Sequence, residues 1–220
     1  MSHLLLGKPD LRHPLNYFGD ALLCEAWVKG LLDNGWYLHN TFAGLPAIWH
    51  MEDFPMSESL HFFIMKAIGL FTHDHVKVFN LYYLLTFPLV TVISLFVLRH
   101  FKLSYPAAML TSILFALVPF HFLRNQAHLF LSAYYLIPLV VMVACWVYSS
   151  QPLLFVNRCE AGTIRLGRFS LTTVASLVIC LLTASAGIYY AFFACFFFLV
   201  AGISGSLTRK AWYPLCAAGV

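Results

Sequence analysis

Hydrophobic positions recur along this chain in two ways. Over residues 21–33 they fall at 22/23, 26/27 and 30/31, the spacing of one helical face. Glu25 and Lys29 stand four apart on the other face, a supportive pairing. Asp33-Asn34-Gly35 then makes a helix stop. A second segment, 56–71, places Leu60, Phe63, Ile64, Ala67 and Phe71 on one face, with Glu58 and Lys66 elsewhere. From residue 78 the periodicity gives way to continuous apolar runs. The stretches 78–98, 105–122 and 129–149 carry no Asp, Glu, Lys or Arg. Residues 169–208 run forty residues without such a charge, twice the roughly 20 that one membrane span needs. Ser185-Ala186-Gly187 near the middle predicts a tight hairpin of two helices, 170–185 and 188–207. Pro138 predicts a kink in the third span, and another apolar run opens at 212–220.

The expected fold is therefore all-α, a polytopic helical membrane protein with two outside amphipathic helices on the membrane surface. Residues 1–77 form a water-facing region that holds those helices, and residues 78–220 form the transmembrane domain. Residues 1–19, 36–52 and 150–169 read as irregular connections.

Composition excludes a soluble globular domain. The chain is 61% hydrophobic and 10% charged, against about 25% charged in soluble domains. The net charge of +4 does not point to nucleic acid, because the basic residues sit in short loops beside the predicted spans. Cysteines 24, 145, 159, 180, 195 and 216 are scattered singly, so neither a disulfide framework nor a thiolate zinc site follows. Leu4-Leu5-Leu6 is too short for a signal-peptide core. The chain reads as a piece of a longer multi-span protein, without a first span and several later ones.

Charge does set an orientation. Arg99, Lys102, Arg158, Arg165, Arg168, Arg209 and Lys210 occupy one set of loops, whereas the opposite short loops hold only Arg124. By the positive-inside rule the first set is cytoplasmic and residues 1–77 are extracytoplasmic. The expected location is the cell (inner) membrane.

The carboxylates concentrate on that outer side, with only Glu160 falling after residue 78. Asp20 is a candidate general base or metal ligand, and equally a helix N-cap. Glu52-Asp53 is an acidic pair that could share catalytic duty or hold a divalent cation. Alternatively, Asp53 starts the second helix with Pro55 in its first turn. His121, Arg124 and His128 lie at i, i+3 and i+7, one stripe of a helix end. Such a cationic stripe suits a phosphate, with Arg giving bidentate contacts, while the plainer reading is interfacial snorkelling. His73-Asp74-His75 reads as a satisfied loop cluster ahead of a metal motif. Tyr189 and Tyr190 read as an aromatic belt, or as the lining of a sugar or lipid site.

With these pieces placed, the layout resembles the GT-C superfamily of membrane glycosyltransferases, multi-span enzymes that take a sugar from a polyprenyl-phosphate carrier. Gly19-Asp20 opens a loop like their first outside loop, helices 21–33 and 56–71 match its two surface helices, and Glu52-Asp53 lies between them. The resemblance implies transfer from a polyprenyl-phosphate-linked sugar donor at the extracytoplasmic face, beside membrane lipids. Asp20 would take the acceptor's proton or help hold a metal, with Asp53 or Glu52 assisting. Arg124, with His121 or His128, would stabilise the departing phosphate, and Tyr189 and Tyr190 would face the donor. Two other classes compete. A transporter would need ionisable residues within its spans near the midplane, whereas these spans carry no Asp, Glu, Lys or Arg and the polar groups gather at one surface. A non-catalytic assembly subunit would use the outside helices for docking, with Asp20 only a cap.

Overall fold

The computed structural model describes residues 10–41, 43, 44, 46, 48–52, 58–149, 156–158, 164–166, 170–210, 214 and 218. The described chain is predominantly helical and falls into two compact units, Met1–Tyr135 and Leu136–Val220. The division thus lies inside the third apolar run. The polar N-terminal region shares its unit with the first two runs.

In the first unit α1 spans Ala21–Asn34. It ends where Gly35 takes φ 91°, a left-handed conformation that glycine adopts without a steric cost. Lys29 pairs with Asp33 at 2.6 Å, and Glu25 turns instead to His75 Nε2 at 3.3 Å, so the expected Glu25–Lys29 pair does not form. Residues 36–52, expected to be irregular, contain a small antiparallel hairpin of β1 (His39–Asn40) and β2 (Trp49–His50). Helix α2 (Ser59–Gly69) follows. Helix α3 (His75–His100) begins at Asp74, whose carboxylate accepts from the Val76 and Lys77 amides at 3.1 and 3.2 Å. Asp74 therefore serves as an N-cap.

The second apolar run is interrupted. Helix α4 (Tyr105–Ala116) stops, and α5 (Pro119–Arg124) starts two residues later. Pro119 cannot donate an amide hydrogen and forces the residue before it into an extended conformation, which Val118 adopts with ψ 146°. A 3-10 turn (Gln126–His128) and α6 (Leu129–Ser132) close the unit. In the second unit, α7 (Ile137–Tyr148) carries Pro138 in its first turn, where proline is tolerated. The interruption lies upstream at residues 133–136, so Pro138 opens a new helix and does not kink a continuous one. Strands β3 (Val156–Arg158) and β4 (Ile164–Leu166) pair antiparallel within the expected loop. Helices α8 (Leu171–Ala186) and α9 (Ile188–Arg209) meet at Gly187, φ 147°, where the sequence predicted the turn.

Among the described residues, four helical stretches are long and apolar enough to cross a membrane: His75–His100, Tyr105–Arg124, Gln126–Tyr148 and Ile188–Arg209. Helix α8, expected as a fifth span, has 16 residues and is shorter than these.

The packing faces of α1 and α2 depart from the expected ones, although Gly30 and Leu31 of the expected α1 face are buried. Helix α1 buries Ala21, Cys24, Val28 and Leu31 and exposes Leu22 and Leu23. Helix α2 buries His61, Phe62, Met65 and Gly69 and exposes Phe63, with Phe71 exposed just beyond. Helix α4 turns Ala108, Ser112 and Ala116 inward and Leu110, Ile113 and Leu114 outward. In α9 the buried positions are Ala194, Phe198, Gly202 and Gly205. Small residues at every fourth position in α4, and Ala194, Gly202 and Gly205 beside Phe198 in α9, let helix backbones approach closely, which is how helices pack when large apolar side chains gain nothing by burial.

Candidate functional site

The site grows from the segment that precedes α1. Asn80, fully buried near the start of α3, donates from Nδ2 to the Leu11 and His13 carbonyls at 3.0 and 2.8 Å. Its Oδ1 accepts from Gln126 Nε2 at 2.8 Å. One amide thus ties the incoming segment to both α3 and the 3-10 turn. A second amide pair repeats the link at its edge, where Asn16 Nδ2 donates to Asn125 Oδ1 at 2.5 Å. Asn125 also accepts from the Ala127 amide and takes φ 38°, the backbone reversal that ends α5. Gly19, at φ 59°, leaves a Cβ position only 3.5 Å from Ala127 Cβ.

The chain therefore enters α1 directly against residues 125–128. Asp20 stands at the N-cap position, but its side chain makes no capping hydrogen bond. Its carbonyl alone accepts from the Cys24 amide, at 2.9 Å. Its carboxylate faces His128 instead, Oδ2 to Nδ1 3.8 Å. Both side chains remain substantially exposed, 64% and 43%. Such a pair contributes about 0–1 kcal/mol to stability and leaves carboxylate oxygens accessible to a second molecule. Arg124, also exposed, lies with its guanidinium 5.6 Å from the Phe120 ring centroid. A cation held over an aromatic face is partly pre-oriented, and among the described residues no carboxylate pairs with it.

His121 does not join this group. The stripe expected from residues 121, 124 and 128 is cut at Asn125, and His121 is fully buried on the inner side. Its Nδ1 donates to the Ala116 carbonyl at 2.9 Å, its Nε2 meets Thr86 Oγ1 at 2.8 Å, and its ring stacks on Phe87 at 3.8 Å. It fills the gap where α4 gives way to α5 and is closed to a ligand arriving from the surface.

Glu52 lies apart, on the hairpin. Its Oε1 is 3.0 Å from His39 Nε2 and its Oε2 is 3.5 Å from His50 Nδ1. Asp53 lies outside the described residues. Of the metal candidates Asp20, Glu52 and Asp53, only Glu52 belongs to a described group with ligand geometry, formed with His39 and His50. Tyr189 and Tyr190 occupy the first turn of α9 in the second unit, with Tyr189 exposed.

Beneath the surface group, His61 is fully buried between the Tyr82 and Tyr135 hydroxyls, and Phe130 packs against both His61 and Trp27. Cys24 is buried nearby in α1. Burial pushes its thiol up to about 12, and the Asp20 and Glu58 carboxylates add in the same direction. The thiolate is the reactive form, so Cys24 is expected to resist iodoacetamide from neutral pH to about pH 9. It should react only once the chain is unfolded, as read by mass spectrometry of its peptide. Rapid alkylation of the folded chain at neutral pH would contradict this packing.

Sequence reasoning missed Asn16, Asn80, Asn125 and Gln126, which hold Asp20 in place. Their legible mark is that amides within or at the ends of apolar runs need partners. No protein-family model matches the chain, and no curated protein or solved structure is found to be similar to it.

Proposed function

We propose that this chain acts as an integral membrane glycosyltransferase of the GT-C kind. It would move a sugar from a polyprenyl-phosphate donor to an acceptor hydroxyl at the extracytoplasmic face of the cell membrane. The observation that carries the reading is the approach of Asp20 to His128, two residues far apart in sequence, at an open surface. Arg124 lies just before the turn that bears His128. A four-residue connection joins α3 to α4, so the start of α3 and the end of α5 lie at one end of the helical pair. Candidate base and candidate anion binder then share one end of the unit.

In this mechanism the Asp20 carboxylate accepts the proton as the acceptor oxygen attacks the sugar's anomeric carbon. His128, 3.8 Å away, orients that carboxylate. The bond from the anomeric carbon to the phosphate oxygen breaks, and Arg124 meets the charge that develops on the leaving phosphate. On this reading the long apolar helices would set the group at the depth of a lipid-linked phosphate. The uncharged apolar runs favour this reading over a transporter.

The test is transfer from polyprenyl-phosphate-linked sugars by the protein in membranes, comparing wild type with R124A and H128A. We expect transfer in the wild type, with R124A reduced at least ~10-fold through loss of phosphate stabilisation. Equal activity in all three, at equal protein level, would favour a non-catalytic assembly subunit.

A further inference from the structure

We propose that His39, His50 and Glu52 form a binding site for a divalent transition-metal ion of the zinc type. The donor set itself points to that class. Two imidazoles with one carboxylate suit zinc and its first-row neighbours, whereas calcium and magnesium take oxygen ligands. The three side chains can each offer one donor atom, and these atoms all lie within 4.8 Å of one another. Each ring gives one nitrogen: the two Nδ1 atoms lie 3.1 Å apart and His50 Nδ1 is 3.5 Å from Glu52 Oε2, while the other nitrogen of His39, Nε2, meets Glu52 Oε1 at 3.0 Å. Ligands about 2.0–2.1 Å from a tetrahedral zinc lie roughly 3.3–3.5 Å apart, so small side-chain rotations suffice to seat the ion.

The backbone places these donors without help from a metal. His39 and His50 are direct cross-strand partners in the β1–β2 register, so their side chains leave the same face. Glu52 follows His50 by two residues, the strand period that returns to that face. The hairpin is fastened on both sides. Tyr37, buried, stacks on Phe62 at 4.0 Å and bonds the Ser59 hydroxyl at 3.0 Å. The Met51 amide donates to the Leu38 carbonyl at 2.9 Å, and Thr41 Oγ1 donates to Asn34 Oδ1 at 2.8 Å. The turn requires glycine at 44: its φ is 85°, and a Cβ there would stand 2.8 Å from the Trp49 nitrogen.

Protons and metal compete for the same atoms. The two Nδ1 atoms face each other at 3.1 Å, with the donor set by the tautomer. A metal ion takes only unprotonated donor atoms, so it displaces any proton held at the nitrogen it occupies. All three side chains are about half exposed, which leaves an entry path. Three protein ligands leave a fourth position for water or another molecule, the arrangement of zinc sites that do chemistry. This assignment stands apart from the glycosyl-transfer reading, because it uses none of Asp20, Arg124 or His128.

The test is direct metal binding to the full chain, purified in detergent on a tag without histidine. Cobalt(II) absorption is titrated first, then displaced with zinc(II). We expect one tight equivalent per chain, weakened at least ~10-fold in each of H39A, H50A and E52Q. The double variant H73A/H75A should bind like wild type. On the wild-type chain, zinc should also protect His39 and His50 from diethyl pyrocarbonate and leave His73 reactive. Binding that is unchanged in H39A and H50A, or modification of both that zinc does not slow, overturns the site.

Discussion

Replacing Asp20 with asparagine is expected to lower the rate of sugar transfer by roughly two to four orders of magnitude, the usual range for losing a general base. The fold should not change. The Asp20 side chain makes no capping bond in the native chain, and α1 starts from its carbonyl, which asparagine keeps. Asparagine is also a good N-cap residue, so any stability change should be small. What the substitution removes is basicity, together with the charge that faces His128 at 3.8 Å. Because these two side chains are proposed to act together, D20N and H128A should not be additive: the double variant should be little slower than D20N alone. The measurement is initial transfer rate in membranes at matched protein level. A D20N rate equal to wild type would reduce Asp20 to the end residue of a helix.

Substituting Asn80 with alanine is expected to be the most damaging single change to the first unit. Asn80 makes three hydrogen bonds in a fully buried position, two to carbonyls of the incoming segment and one from Gln126. Alanine leaves all three partners without it. An unpaired buried polar group costs about 1–3 kcal/mol, so a combined loss of roughly 2–4 kcal/mol is expected even after water reaches some of them. The Gln126 amide would suffer most, since its Oε1 already has no hydrogen-bond partner and the residue is fully buried. Loosening should begin at residues 10–19, which Asn80 and Asn16 hold in place, and then reach Asp20. The expected result is a lower unfolding temperature in detergent and new protease cleavage within residues 10–19. Unchanged stability in N80A would mean that the other contacts of this segment suffice.

Much of this architecture is local and therefore legible in the chain. Asp33-Asn34-Gly35 ends α1, Gly187 separates α8 from α9, and long uncharged runs mark α3 and α9, each through chemistry carried by adjacent residues. Pro119 and Pro138 are equally visible as proline, yet their consequence is not. One divides an apolar run and the other opens a helix, because each break depends on whether neighbours satisfy the freed carbonyls. At the first break His121 does so, accepting burial to bond the Ala116 carbonyl. A histidine spaced three from an arginine reads as part of a surface stripe until the break turns it inward.

By itself, the sequence determined that the chain is mostly helical, where α1 ends and where α8 turns into α9, and that long uncharged apolar runs follow residue 78. Run length, helical period and capping residues act over a few neighbours, so no tertiary information is needed. The tertiary structure alone decided which faces are buried, which charges pair, and which polar residues meet. Hydrophobicity marks the inside only when the outside is water. Where large apolar residues can stay outside, as in α4 and α9, small side chains and hydrogen bonds choose the packed face. The meeting of Asp20 with His128, and of Glu52 with His39 and His50, follows from backbone paths that no single stretch specifies.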